Sequence, residues 1–190
     1  MLSESEMQFL LKLARDAIEQ FIKTKKIIYI PASYPEKLKD KKGIFVTIYK
    51  KIANVKELRG CIGLPYPEKP LIEGVIAAAV SACQDTRFLP LKAEELKDVL
   101  IEISILTEPE LISVKNPKEY LRKIKLGEDG LIIKKGILSG LFLPQVPIEQ
   151  EWTVEDYLEN LCLKAGLVGD SWLDPAAKIY KFQAQTFSEK

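Results

Sequence analysis

The chain has 190 residues, of which 47% are hydrophobic and 29% charged, and its formal net charge is +1. This length and composition are typical of one globular domain with a substantial core, and the near-neutral charge argues against a general attraction to nucleic acid or to an anionic membrane. The sequence contains no histidine. Ser-His-Asp and Cys-His catalysis within one chain are therefore excluded, as are His-ligated zinc and the two-His-one-carboxylate iron site.

The N-terminal segment lacks the features of a signal peptide, and no apolar run is long enough to span a membrane, so we expect a cytoplasmic protein. The three cysteines, Cys61, Cys83 and Cys162, form no C-x-x-C pair and are too few for a disulfide framework. We therefore expect reduced thiols. The abundance of Lys, Glu and Ile is a thermophile-like composition.

Hydrophobic periodicity and turn residues predict the order of the elements. A capping box formed by Ser3 and Glu6 marks the start of the first helix. The predicted elements of the first half are, in chain order, a helix over 5–23, a strand over 43–50, a turn over 52–57, an antiparallel partner strand starting in 58–63 and a helix over 71–84.

The second half is predicted to contain more strands than helices. Its elements are a strand over 98–107, a short helix in 117–124, a hairpin of strands over 129–136 and 137–146, a helix over 152–167 and a last strand over 179–187. Helices are interspersed among antiparallel strands without the regular alternation of βαβ units. The predicted fold class is therefore α+β, with an antiparallel sheet flanked by helices.

The hexapeptide LRGCIG, residues 58–63, combines two glycines with an arginine and a cysteine. Gly60 and Gly63 would let the backbone approach a ligand or another strand, and they could direct several N–H groups toward an anion. The alternative interpretation is a β-bulge that leads into a turn. A P-loop is excluded because the Lys-Ser/Thr ending is missing.

Arginine is rare, since only four of the 28 basic residues are arginine. Arg59 in LRGCIG and Arg87 in DTRF are therefore candidates for binding a carboxylate or phosphate through their planar guanidinium groups. The alternative is that Arg87 pairs with Asp85 to brace its loop and that Arg59 is solvated.

Cys61 is the candidate nucleophile, because a glycine-flanked turn could expose its sulfur and Arg59 could favour its thiolate. The alternative is a small buried residue at the end of a strand. Cys83 and Cys162 lie on apolar helix faces and are predicted to be core residues. The cysteine spacing matches no zinc-ligand pattern, so no metal site is expected.

Several polar residues could contribute to a site. Asp85, Glu102 and Asp129 are carboxylates whose sequence contexts could place them near a cleft, Tyr66 could supply a hydroxyl, and Gln145 is a polar residue that closes an apolar strand. Each has the alternative interpretation of a turn or surface residue.

The motifs LRGCIG, DTRF, IEISILT, GLFLPQV and LCLKAGL occur in this order, and by them the chain resembles the AMMECR-one family, named for the chromosomal region linked to Alport syndrome, midface hypoplasia and elliptocytosis. The resemblance covers nearly the whole chain. It implies one domain over residues 1–190, with an α+β fold in two lobes and the signature hexapeptide lining a cleft between them.

The resemblance also carries site residues over to this sequence. The matching positions are Arg59, Gly60, Cys61 and Gly63 in the signature, Asp85, Arg87 and Phe88 in the loop, and Gln145 after the strand. The chain has Thr86 where the family often has proline, and Asp129 where many members have histidine. A mechanism that needs this histidine is not supported here.

These observations favour an enzyme, or a component of an enzyme pathway, that binds a small anionic or nucleotide-like substrate in a cleft lined by the LRGCIG turn and the DTRF loop. The predicted substrate-binding residues are Arg59, Gly60, Gly63, Arg87 and Gln145, and the candidate catalytic residues are Cys61 and Asp85. We expect no cofactor. The family resemblance implies a pathway shared with a Memo-like protein and a radical-SAM enzyme.

The alternative is a binding module without catalysis that recognises RNA, a nucleotide or a protein partner through the same residues. The near-neutral charge favours a small ligand or a protein over a nucleic-acid backbone. The sequence leaves open whether the protein is an enzyme.

Overall fold

The computed structural model describes residues 1–52 and 55–190. Within this part of the chain the helices are α1 (Glu4–Thr24), α2 (Leu71–Ala82), α3 (Tyr120–Lys123), α4 (Val146–Glu149) and α5 (Val154–Lys164). The strands are β1 (Ile44–Ile52), β2 (Val55–Leu64), β3 (Val99–Leu106), β4 (Glu110–Leu111), β5 (Gly130–Lys135), β6 (Leu138–Phe142), β7 (Lys178–Phe182) and β8 (Ala184–Ser188).

The strands form two antiparallel four-stranded sheets, with the orders β2-β1-β3-β8 and β4-β7-β5-β6. The predicted α+β fold class is therefore confirmed. The chain divides into a first unit, Met1–Leu106 with Gln185–Lys190, and a second unit, Thr107–Ala184. None of the described helices is both long and apolar enough to cross a membrane.

The first unit packs α1 and α2 against one face of its sheet. The capping box starts α1, since the Glu6 N–H donates to Ser3 Oγ and the Ser3 N–H donates to Glu6 Oε2. The alternation of apolar residues along the two central strands buries the face that the helices cover, at Ile44, Val46, Ile48, Ile101, Ile103 and Ile105. Thr47 on β1 and Glu102 and Ser104 on β3 therefore lie on the opposite face.

The C-terminal segment binds both β3 and α1 of the first unit. Ser104 and Thr186 share a hydrogen bond of 2.9 Å, and Glu189 accepts a hydrogen bond of 2.9 Å from the Ile101 N–H. Arg15 on α1 pairs with the same Glu189 carboxylate. The Arg15 guanidinium also donates to the carbonyls of Leu96 and Val99, at 2.9 Å each, so it links the helix to the sheet.

The second unit is built around the β5-β6 hairpin and α5. Gly140 allows close packing of β6 on α5, because a Cβ at this position would lie 2.9 Å from the Leu161 carbonyl oxygen. Tyr157 on α5 is fully buried, and its hydroxyl lies 3.3 Å from the carbonyl oxygens of both Asp129 and Phe142. The buried polar group of this core therefore has acceptors.

Three predicted elements differ in the structure. The single strand predicted over 179–187 is two strands, β7 and β8, which belong to different sheets. The strand predicted over 137–146 ends at Phe142 because prolines follow, and Gln145 precedes α4 instead of closing a strand. The turn predicted over 52–57 is mostly strand, since β1 includes Ile52 and β2 begins at Val55; its residues 53 and 54 lie outside the described part of the chain.

Replacing Glu189 by Gln is expected to lower the free energy of unfolding by about 1–3 kcal/mol, because the charged partner of Arg15 and of the Ile101 N–H is lost. Urea unfolding followed by circular dichroism measures this change. Glu36→Gln in the same unit is the control, since Glu36 forms an exposed pair with Lys39 and should change stability by less than about 1 kcal/mol. Equal effects of the two substitutions would contradict the structural role of Glu189.

Candidate functional site

The predicted antiparallel pairing of LRGCIG with the preceding strand is confirmed, but the hexapeptide does not form the predicted turn, because all of it lies inside β2. Its strand pairs with β1 in antiparallel register, with Ile48 opposite Gly60 and Tyr49 opposite Leu58. Arg59 is therefore the extra residue of a β-bulge. The bulge was the alternative interpretation of this segment, although it leads into more strand and not into a turn.

The anion-binding nest predicted at the two glycines is also wrong, since N–H groups alternate in direction along a strand. Gly60 allows the end of α2 to approach, because a Cβ at this position would lie 2.3 Å from the Ala82 carbonyl oxygen. A Cβ on Gly63 would overlap the ring of Phe45, at 2.1 Å. Packing within the first unit explains both glycines.

The loop after α2 closes the free edge of β2 at Cys61. The Cys61 N–H donates to Asp85 Oδ2 at 2.9 Å, and the Cys61 carbonyl accepts from Arg87 Nη2 at 3.1 Å. β2 is the edge strand of its sheet, so these backbone groups have no neighbouring strand to pair with. The Asp85 and Arg87 side chains take the place of that strand.

Asp85 holds this junction together. It is 5% exposed, and it also accepts hydrogen bonds from the Arg87 N–H, Nε and Nη2, at 3.1, 3.0 and 2.6 Å. The Arg87 guanidinium, with the two backbone N–H groups, holds the pKa of the Asp85 carboxyl far below its usual range. Asp85 is thus a fixed anion, and this geometry suits a positioning role better than the catalytic role for which the sequence made it a candidate.

Arg59 and Arg87 do not grip one anion between them, because each is paired with a carboxylate of the chain itself. Arg59 Nε and Nη2 donate to the two Glu95 carboxylate oxygens at 2.9 and 3.0 Å, and Nη1 donates to the Leu89 carbonyl at 2.8 Å. The Arg59 side chain is 14% exposed. The alternative that it is solvated is therefore wrong, and its bonds explain it as a brace for the loop.

Arg87 differs from Arg59 in its exposure. Its side chain is 59% exposed, and its Nη1 has no partner among the described residues. The guanidinium carbon lies 5.6 Å from the centre of the Phe88 ring. Arg87 therefore pairs with Asp85, as its alternative interpretation predicted, and it also keeps one outward hydrogen-bonding edge.

Cys61 lies in a row of polar side chains on the sheet face opposite the helices. Thr47 stands between Cys61 on β2 and Glu102 on β3 in the strand register. Since the Cys61 backbone groups point outward, Cys61 and Thr47 form a non-hydrogen-bonded pair, in which side chains approach closely. Cys61 Sγ lies 3.1 Å from Thr47 Oγ1, and Tyr49 donates to Glu102 Oε1 at 3.4 Å.

Burial raises the pKa of the Cys61 thiol, although the Thr47 hydrogen bond and the nearby Arg87 charge oppose this effect. Arg59, which was expected to favour the Cys61 thiolate, is instead bound to Glu95. At neutral pH Cys61 is therefore a thiol. Cys83 and Cys162 are buried as predicted, and burial raises the pKa of Cys83 to about 12.

Sequence reasoning missed Glu95 and Thr47. Glu95 lies in a short 3₁₀ turn, and only the fold brings it to Arg59. A signal for Thr47 existed, since pairing the two predicted strands would have placed this polar residue close to Cys61. The remaining candidates lie elsewhere: Tyr66 follows the end of β2, and Gln145 and Asp129 belong to the second unit.

Asp129 is 2% exposed and accepts the Lys125 N–H at 3.0 Å, which gives it a structural role in the second unit. Gln145 precedes α4, and its carbonyl accepts from the Ile148 and Glu149 N–H groups at 3.1 and 3.0 Å. The predicted part of Gln145 in substrate binding stays a prediction.

Among the described residues no cluster of three or more Cys, Asp or Glu side chains could hold a metal ion.

The family model of AMMECR1 matches residues 11–187 of the chain. The chain belongs to the AMMECR1 family. The resemblance noted from the motifs is thereby confirmed.

AMMECR1 relatives are found in archaea. Protein MJ0810 of Methanocaldococcus jannaschii is 52% identical over 190 residues, which cover 100% of this chain and 92% of the relative. Protein PH0010 of Pyrococcus horikoshii is 50% identical over 185 residues, which cover 96% of this chain and 89% of the relative. The crystal structure of the uncharacterized protein PH0010 matches with a TM-score of 0.93 and 48% identity, over 100% of this chain and 94% of that chain.

Replacing Asp85 by Asn is expected to lower the free energy of unfolding by about 2–3 kcal/mol, because the Arg87 guanidinium loses its charged partner. The loss is smaller than for a fully buried ion pair, since the Arg87 side chain is mostly exposed. Asp85 has a lowered pKa in the folded state, so its contribution to the free energy of unfolding is complete above the pKa of the unfolded state, about 3.9. It is lost as the pH falls below that value toward the folded pKa.

Urea unfolding of both proteins between pH 7 and pH 2 measures this difference. The gap between the wild type and Asp85→Asn should be constant at neutral pH and should narrow below about pH 4. Asp16→Asn, at an exposed site on α1, is the control and should change stability little. A gap that stays constant down to pH 2 would contradict the assigned role of Asp85.

Proposed function

We propose that the first unit binds a small anionic or nucleotide-like substrate beside Cys61 and Arg87, as an enzyme or as a component of an enzyme pathway in the cytoplasm. The observation that carries the proposal is the outward Nη1 edge of Arg87, which has no partner in the described chain and is held next to Cys61 by Asp85. A guanidinium held in this way is oriented before the ligand arrives, which lowers the entropy cost of binding.

The residues around Arg87 support a ligand with both charge and hydrogen-bonding groups. Arg87 would bind the anionic part, the Cys61 thiol and Thr47 would contact a neighbouring polar group, and Phe88 would flank the guanidinium. Arg59, Gly60 and Gly63 would act through the shape of the site, because their own contacts are with the protein. The Memo-like protein and the radical-SAM enzyme implied by the resemblance are the proposed pathway partners.

Replacing Arg87 by Lys tests the proposal, because lysine can keep the ion pair with Asp85 but has no second edge to offer. Titration calorimetry with AMP and with inorganic phosphate should show binding to the wild type, and Arg87→Lys should weaken it at least tenfold, as expected when a hydrogen bond between charged groups is lost.

Arg122→Lys is the matched control, since Arg122 is an exposed arginine of the second unit, and it should bind like the wild type. Unchanged binding in Arg87→Lys, or no binding of either probe to the wild type, would overturn the proposal.

The second candidate function is binding without catalysis, of RNA, a nucleotide or a protein partner at the same residues. Two observations favour it, namely the raised pKa of Cys61 and the fixed charge of Asp85. Neither group is poised to transfer a proton near neutral pH.

Alkylation of Cys61 by iodoacetamide, followed by mass spectrometry from pH 6 to pH 10, distinguishes the two functions. With burial raising its pKa, Cys61 should react slowly at pH 7, and its rate should keep rising through pH 9. Cys83 and Cys162 are internal controls in the same molecule and should react more slowly still, because both are buried. A rate that is already maximal at pH 7 would mark a thiolate and favour catalysis.

A further inference from the structure

The second unit contains a cavity of about 230 Å³ between the segment that follows β4 and the segment that precedes β7. A single water needs only about 10–15 Å³ of such space, so the cavity can hold a larger molecule. Its lining residues are Leu111, Ile112, Ser113, Val114, Lys115, Pro117, Tyr120, Trp172, Asp174, Pro175, Ala177 and Lys178. Most of them are apolar.

Two donors in the lining have no acceptor in the described part of the chain. Trp172 is 3% exposed, and its Nε1 is buried without a hydrogen-bond partner. Tyr120 is 5% exposed, and its hydroxyl has no partner either. Of these two donors, Trp172 Nε1 is the fully buried one. Buried donors are nearly always satisfied in folded proteins, so this atom in the lining indicates that an acceptor belongs in the cavity.

The charges of the lining favour an anion. Lys115 and Lys178 are exposed residues that line the cavity, and the one carboxylate of the lining, Asp174, is already paired with Lys135 at 2.8 Å. Asp174 also accepts the Ala176 N–H at 2.8 Å. The uncompensated charge at the cavity is therefore positive.

We propose that this cavity binds a small molecule with an apolar body and a carboxylate group. The apolar walls contact the body, while the Trp172 and Tyr120 donors and the two lysines bind the carboxylate. This site lies wholly within the second unit and does not depend on the function proposed for Cys61 and Arg87.

Benzoate is the first probe, and the two tryptophans of the chain supply the readout. In ¹⁵N–¹H spectra of the full chain, benzoate should shift the Trp172 indole signal downfield in a saturable manner. The Trp152 signal should stay in place, because Trp152 packs against Phe142 and Tyr157, away from the cavity lining. The spectrum of Trp152→Phe assigns the two signals.

Benzylamine is the matched control ligand, since it has the same ring and the opposite charge. No saturable shift with benzoate, as expected if the cavity holds water only, would overturn the proposal. An equal shift with benzylamine would also overturn it, because it would show that the carboxylate is not recognised.

Tyr120→Phe tests the donor set, and it should fold normally because the hydroxyl has no partner to lose among the residues that the structure describes. It should weaken benzoate binding about two- to tenfold, the effect of one hydrogen bond. Lys178→Gln should weaken it about two- to fivefold, the effect of an exposed charge. Tyr180→Phe and Lys118→Gln are the controls, since neither residue lines the cavity. Unchanged affinity in both test variants would contradict the assigned binding mode.

Discussion

The contact between Asp85 and the Cys61 backbone connects the two motifs that mark this chain. An edge strand presents unpaired N–H and C=O groups, and β2 is such a strand. The Asp85 carboxylate accepts the Cys61 N–H, and Arg87, bound to the same carboxylate, donates to the Cys61 carbonyl. Gly60 allows this arrangement, because a side chain there would meet the end of α2. The bulge, the edge strand and the loop are thus held together by one set of hydrogen bonds, although 24 positions separate Cys61 from Asp85.

The same chemistry recurs at the other arginines of the first unit. Arg15, Arg59 and Arg87 each pair with a carboxylate and also donate to backbone carbonyls of a loop or strand. A planar guanidinium can make both kinds of bond at once, whereas a lysine ammonium lacks this fixed geometry. The structure therefore explains why arginine and not lysine occupies these three positions. Among these three, Arg87 is the one whose side chain is mostly exposed, which makes it the candidate for ligand binding.

Most of the buried polar groups described above are bonded within the protein, and a few are not. In the second unit Tyr157 has two carbonyl acceptors, whereas Tyr120 and Trp172 have none among the described residues. In the first unit the buried Asp85 is fully bonded within the protein. A satisfied group stabilises the fold, and an unsatisfied donor beside a cavity indicates room for an acceptor. For this reason we infer ligand sites from the outward edge of Arg87 and from the two donors, and not from Asp85.

The sequence alone determined the α+β class, the order of most elements, the burial of Cys83 and Cys162, and the family. These follow from local periodicity and from motifs that are contiguous in the chain. Only the tertiary structure decided that LRGCIG is a bulged edge strand and that residues 179–187 are divided between two sheets. It alone brought Glu95 to Arg59 and Asp85 to Cys61. Such pairings depend on how distant segments meet in space, and the local spacing of residue types contains no information about that meeting.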